Sequence, residues 1–169
     1  MKTVLFVILF ACAGFAQNDA AIARAKSACG PDAMRFDVET NNHFAESISP
    51  PASDKALIYV ISDQPGPLAR IGMDGTWMAA TKGNSHLSFF INPGEHHFCA
   101  NWQSVFSARS KYVALSSLNA ESGKVYYLRI RFTIQGEHGP PFMDLDVINE
   151  DQGQYLVLNS EISEFHVKK

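Results

Sequence analysis

Charge is sparse in this sequence. Asp, Glu, Lys and Arg make up only 18% of its 169 residues, and they nearly balance, with 14 basic against 17 acidic side chains. No Arg/Lys cluster interleaves with aromatics, which excludes an electrostatic nucleic-acid binder or a single-strand stacking platform. At 46% hydrophobic residues the chain is no disordered tail either. Signatures of catalysis are missing as well. There is no glycine–serine nucleophile elbow, no phosphate loop, no dinucleotide fingerprint, and no serine with a recognisable base and orienting acid. Internal repeats and low-complexity stretches are absent. One domain's worth of chain remains, long enough for a real hydrophobic core.

Cysteine is scarce, at three residues, and its use depends on the compartment. Lys2, the short apolar run Thr3 to Ala11 and the small residues of Gly14-Phe15-Ala16 form a signal peptide over 1–16. The run is too short to span a bilayer. Export to a periplasmic or extracellular location follows, with cleavage after Ala16. A second reading stays open: Leu9-Phe10-Ala11-Cys12 has the shape of a lipoprotein box, which would lipidate Cys12 and anchor the chain at the outer membrane. Plain export leaves Cys29 and Cys99 in an oxidising compartment without metal-ligand spacing, and one disulfide is the simplest use of them. It would close a loop of 70 positions, a constraint of about 4 kcal/mol in the chain-entropy model. Two buried free thiols are the alternative.

The hydrophobic pattern is that of strands. Residues 17–55 read as an N-terminal helix and a surface loop: Asn18 or Asp19 caps the helix, Gly30-Pro31 ends it, and Thr40 to Lys55 has no period. Met34 to Val38 could add an edge strand. Residues 56–169 read as a β-sandwich domain with a C-terminal helix. Ala56 to Ser62 is a continuous apolar run, expected for a central strand covered on both faces. Arg70 to Trp102 reads as two consecutive hairpins. The first turns at Asp74-Gly75, a strong type I′ signal, and sets Ile71 opposite Met78 and Gly72 opposite Trp77. The second turns at Pro93-Gly94 and pairs Ile91 with His96, Phe89 with Phe98 and Leu87 with Ala100. Gln103 to Lys111 is a polar connection, expected to cross between sheets, and Tyr112 to Ala120 has strand composition.

Lys124 to Ile134 alternates most clearly. Returning along Phe142 to Ile148, it sets Phe132 against Met143, Ile130 against Leu145 and Leu128 against Val147, with Arg131 opposite Asp144 and Arg129 opposite Asp146 on the outer face. Asn149 caps a last helix from Glu150 to about Ser160, with Gln152 at the capping-box position, Gly153 a weak point, and Tyr155, Leu156 and Leu158 partly buried. The tail to Lys169 is expected to fray. The fold class is thus mainly β, a two-layer antiparallel sandwich with short N-terminal and C-terminal helices.

Several groups carry chemistry in principle. Six histidines include Glu95-His96-His97, but adjacent strand residues point to opposite faces and cannot readily share an ion, so no metal site and no cofactor are expected. Asp144 and Asp146 are better explained by salt bridges with the facing arginines than by carboxylate catalysis. Cys99 could act as a nucleophile only if reduced. Trp77, Trp102, Tyr127 and Arg70 form a candidate aromatic binding strip, weighed against the commoner use of strand aromatics as core.

Three stretches carry a likeness to a known family. Arg70-Ile-Gly-Met-Asp-Gly, Ser88-Phe-Phe-Ile-Asn-Pro-Gly-Glu-His-His-Phe-Cys and Asn119-Ala-Glu-Ser-Gly-Lys-Val-Tyr-Tyr-Leu-Arg together resemble the bacterial domain of unknown function 2846. The two hairpin motifs are also similar to PEGA-like β-domains. The resemblance spans roughly Ala56 to Ser160 and implies an exported, β-sandwich-like envelope protein; it carries over no catalytic residue. The function expected is a non-enzymatic envelope module that binds a partner, an envelope protein or a polysaccharide. The alternative is a small exported enzyme or metal-dependent hydrolase with a site built in the loops near 40–55 and 103–111.

Overall fold

A computed structural model describes residues 20, 23, 27–31, 33–45, 47–48, 51, 53–103, 113–134 and 141–169. The stretch 1–16 expected to be a signal peptide, and with it Cys12, lies outside the described residues. Among the described residues ten strands are formed: β1 (Phe36–Phe44), β2 (Ala56–Ser62), β3 (Ala69–Met73), β4 (Thr76–Thr81), β5 (Ser85–Ile91), β6 (Gly94–Trp102), β7 (Val113–Ala120), β8 (Val125–Ile134), β9 (Pro141–Ile148) and β10 (Glu161–Val167). One helix with described bounds, α1 (Glu150–Leu158), separates β9 from β10. A six-stranded sheet, β1-β10-β5-β2-β8-β9, faces a four-stranded sheet, β4-β3-β6-β7. The layers are those of a β-sandwich.

All seven residues of β2 are buried, as its unbroken apolar run requires. Ile58 and Val60 enter the core between the sheets with Ile71, Phe98, Ala100, Leu128 and Ile130. Leu57, Tyr59 and Ile61 face the other way and are covered, with Tyr127, by Val157 of α1. Strand β8 lies parallel to β2, and β9 returns antiparallel to β8. That last register is the one expected: Phe132 opposes Met143, Ile130 Leu145, Leu128 Val147, Arg131 Asp144 and Arg129 Asp146. The charges pair differently from the register. Arg131 reaches diagonally to Asp146 at 2.6 Å, and Arg129 turns to Asp63 at 3.7 Å.

The first hairpin forms at its expected turn, with Asp74 at φ 50° and Gly75 at φ 84°. Gly72 opposes Trp77, but Ile71 opposes Ala79, because Met78 is the extra residue of a bulge. The second hairpin is corrected outright. Strand β5 pairs with β2 and β10, while β6 pairs with β3 and β7. The link at Asn92-Pro93 therefore carries the chain from one sheet to the other. Gly94, at φ 134°, occupies backbone space that side chains disfavour, and the corner lacks the primed-turn twist that closes a two-residue hairpin. The expected crossing after Gln103 is not made either, since β6 and β7 are neighbours in one sheet.

Both ends of the chain depart from expectation. The N-terminal helix is not borne out as an element: most of its stretch lies outside the described residues, and 27–31 run as turn, bend and irregular chain. Strand β1 takes up part of the expected loop and joins the six-stranded sheet. The tail does not fray. It becomes β10, antiparallel to β1 from Phe36 opposite Val167 to Phe44 opposite Glu161, and parallel to β5 at Glu161 and Ile162. Its outward row of Ile162, Glu164 and His166 mixes apolar with polar, so no alternation announced a strand.

Helix α1 begins as expected, the Asn149 side chain accepting from the Gln152 amide at 2.9 Å. Gly153 is not a weak point but a contact. It is buried on Tyr127, and a Cβ built there would lie 2.1 Å from Tyr127 Cγ. Tyr155 (62%) and Leu158 (38%) are more exposed than expected. Replacing Gly153 by Ala gains about 1 kcal/mol of helix propensity but forces α1 off Tyr127, at a cost of about 1–3 kcal/mol for overpacking. Gly153→Ala is therefore expected to lower the urea midpoint, whereas Tyr155→Ala leaves it nearly unchanged. A midpoint raised by Gly153→Ala would contradict this packing.

Candidate functional site

Alternation along the four-stranded sheet sends Ile71, Phe98 and Ala100 inward and leaves Arg70, Gly72, Trp77, Ala80, Cys99 and Asn101 on the outer face. Residues 28–31, 33 and 34 lie across that face. Ala28, Phe36 and Val38 pack on Trp77, Ala80 and Cys99. Cys29 and Cys99 are joined, with Cα atoms 5.2 Å apart, so the expected disulfide is present and the covered face is the one opposite Phe98.

Arg70 is 1% exposed. A guanidinium cannot be buried without acceptors. Its Nη1 donates to the Met34 carbonyl at 2.7 Å, its Nη2 donates to Asn101 Oδ1, and its Cζ lies 4.2 Å from the Trp77 ring centroid. The Trp77 indole N–H donates to the Pro31 carbonyl at 2.8 Å, and the Gly75 amide to the Ala28 carbonyl at 3.2 Å. At the far end, the Gln103 side chain exchanges two bonds with the main chain of Phe36, at 2.8 and 2.7 Å. Gly72 gives the segment room: a Cβ there would meet the Ala28 carbonyl oxygen at 2.7 Å.

The expected aromatic strip is therefore not formed. Arg70 and Trp77 come together, but under the 28–34 segment. Trp102 faces the inter-sheet core, edge-on to Phe132 at 4.9 Å. Tyr127 lies on the opposite sheet beneath α1, stacked on Tyr59 at 5.6 Å. Strand composition marks all four as large and amphipathic; it does not say which of four faces each reaches.

Two polar clusters were not legible as such. Asp74 at the hairpin turn accepts from the His97 amide at 2.9 Å, and its Oδ2 lies 2.6 Å from His96 Nδ1, while His96 Nε2 bonds the Asn92 carbonyl at 2.9 Å. Burial works to raise the Asp74 pKa, but the bonds from the His97 amide and His96, with the nearby histidine charge, hold it below its ordinary value. His96 thus ties the β3–β4 turn to the link between the sheets, and His97 points away toward Glu95 at 3.7 Å. Among the described residues no group of three or more His, Cys, Asp or Glu is placed to hold a metal ion. Deeper, Thr81, Ser85 and Ser163 join their hydroxyls at 2.6–3.1 Å. Beside them His86 Nδ1 meets Ser160 Oγ at 2.9 Å. Ser160 Oγ already donates to the Leu156 carbonyl at 2.8 Å, so the ring nitrogen is the donor. These bonds require β10, which the sequence did not announce.

Burial pushes the His86 pKa below its ordinary 6.5, against the raising effect of its bond at Ser160. Unfolded chains take that proton as pH falls through about 6.5, while the folded chain does not, so stability declines below that pH. One group contributes a slope of at most about 1.4 kcal/mol per pH unit. His86→Gln is expected to flatten the dependence of the urea midpoint between pH 7 and 5.5. The contribution of Asp74 is lost only below its ordinary 3.8. An unchanged slope in His86→Gln would show that the ring is not held neutral.

No known protein family, characterised protein or solved structure matches this chain.

Proposed function

We propose that the chain is an exported, non-enzymatic envelope module that binds a protein partner through the uncovered margin of its four-stranded sheet. The disulfide supports export, because such bonds persist in oxidising compartments. The observation that carries the binding reading is the exposed row on β7. Val113 is 41% and Leu115 39% exposed, followed by exposed Ser117 and Asn119. At about 3.4 Å per residue the row is about 20 Å long. An open depression bounded by Glu95, Ser117, Leu118 and Asn119 lies at its end. Aliphatic side chains passing into neutral hydrogen-bonding ones suit a protein surface. A polysaccharide is less well served at this row, which carries no aromatic ring to stack on a sugar, and Trp77 and Tyr127 of the expected strip are 5% and 1% exposed.

Crosslinking in the native host tests this reading. A photoreactive side chain at Ser117 is expected to trap one protein partner, and Leu115→Arg to abolish that adduct while the urea midpoint holds within about 0.5 kcal/mol. Trapping at Ser117 that persists in Leu115→Arg would contradict the strip. Intact mass of the purified protein tests export: a start at Gln17 is expected, and an acylated start at Cys12 would replace plain export by a lipid anchor.

A further inference from the structure

The segment covering the four-stranded sheet is held as a bound peptide is held. The carbonyls of Ala28, Pro31 and Met34, spaced three residues apart, accept in turn from the Gly75 amide, the Trp77 indole and the Arg70 guanidinium. Every donor belongs to the β3–β4 hairpin, and every acceptor to the main chain of the segment. Such a face reads the course of a backbone, with the small side chain of Ala28 and that of Met34 packed against it. Its one strict demand is at Gly30, where a Cβ would lie 2.4 Å from Trp77 Cδ1, just before Pro31. An indole N–H taking a proline carbonyl is also the chemistry by which aromatic-lined grooves hold proline-containing peptides.

We propose that this outer face is a peptide-binding groove, occupied in cis by residues 28–31, 33 and 34, gated by the Cys29–Cys99 disulfide, and able to take in trans a turn-forming segment with a Gly-Pro step. The groove adjoins the exposed β7 row on the same face, where Leu115 lies opposite Cys99, but its donors come from β3, β4 and their turn, and it does not depend on that row. The gate opens by thiol–disulfide exchange with an external dithiol. One thiolate attacks a protein sulfur to give a mixed disulfide, the second resolves it, and Cys29 and Cys99 leave as thiols while the dithiol becomes a disulfide. The cis segment still competes at an effective concentration on the order of millimolar, so an outside peptide enters when the cis segment fits poorly.

The full chain carrying Cys29→Ser, Gly30→Ala and Cys99→Ser expels its own segment by the Cβ that Trp77 cannot admit. A fluorescein-labelled peptide of residues 27–36, with Cys29→Ser, is the probe. Saturable binding is expected. The same peptide with Gly30→Ala, and separately a Trp77→Phe host that loses only the indole donor, should each bind about tenfold more weakly. An Asn119→Arg host, altered at the far end of the β7 row opposite Glu95, should bind unchanged, so failure of the groove and failure of the exposed row are told apart. A folded host that does not bind, or that binds the Gly30→Ala peptide equally, overturns the proposal. So does a host that cannot fold, since the groove must stand when vacated. In the unmodified chain, dithiothreitol should raise proteolytic cleavage within 28–34 about tenfold or more while the sheets stay intact; unchanged cleavage overturns the gate.

Discussion

Burial of one guanidinium sets the conditions for half of this molecule. Arg70 stands in the middle of a strand whose other face fills the core, so its side chain has nowhere to go but the outer face of the four-stranded sheet. There it is 1% exposed. An ion so deeply desolvated costs several kcal/mol unless acceptors replace its water. Met34 and Asn101 supply them, and Trp77 supplies a π face. Met34 belongs to a segment far from Arg70 in sequence, so that segment must lie where it does. The disulfide, the Pro31 bond to Trp77 and the Gln103 clasp on Phe36 all act on the same few residues. Chemistry that resembles a recognition surface in the sequence is thus spent inside the fold.

What the sequence made legible is which way each side chain points. Strict alternation over Lys124–Ile134 and Phe142–Ile148 gave the β8–β9 register residue for residue, because two independent rows, one apolar and one charged, had to agree. The unbroken run Ala56–Ser62 gave a central strand for a similar reason. Alternation does not choose a neighbour. Phe89 and Phe98 both face the core, as a hairpin would require, yet they do so from opposite sheets. The same inward pattern serves both arrangements, and only the sense of the Pro93-Gly94 corner separates them.

The candidate site was less legible still. Arg70, Trp77, Trp102 and Tyr127 stand out in the sequence for size and chemistry, yet only Arg70 and Trp77 share a face; Trp102 and Tyr127 lie on two others. Cys29 and Cys99 pair as expected, since they are the two cysteines left once Cys12 is assigned to the expected leader, and Cys99 alternates away from Phe98. The Thr81–Ser85–Ser163 cluster and the His86–Ser160 bond had no local signal, since each joins residues more than seventy positions apart through a C-terminal strand with mixed polarity. The β7 row was hidden by its neutrality: Val-Ala-Leu-Ser-Ser-Leu-Asn-Ala carries no charge to mark a surface.

The central claim is that the 28–34 segment is locked onto the sheet through Trp77 and Arg70. Hydrogen exchange of the two indole N–H protons, followed by NMR in the oxidised protein, reads it directly. The Trp77 proton, bonded to the Pro31 carbonyl under a covering segment, is expected to exchange orders of magnitude more slowly than a free indole, with an opening free energy approaching that of global unfolding. Exchange of the Trp77 indole at the rate of a free indole would show that the segment does not cover this face, and the account of Arg70 would fall with it.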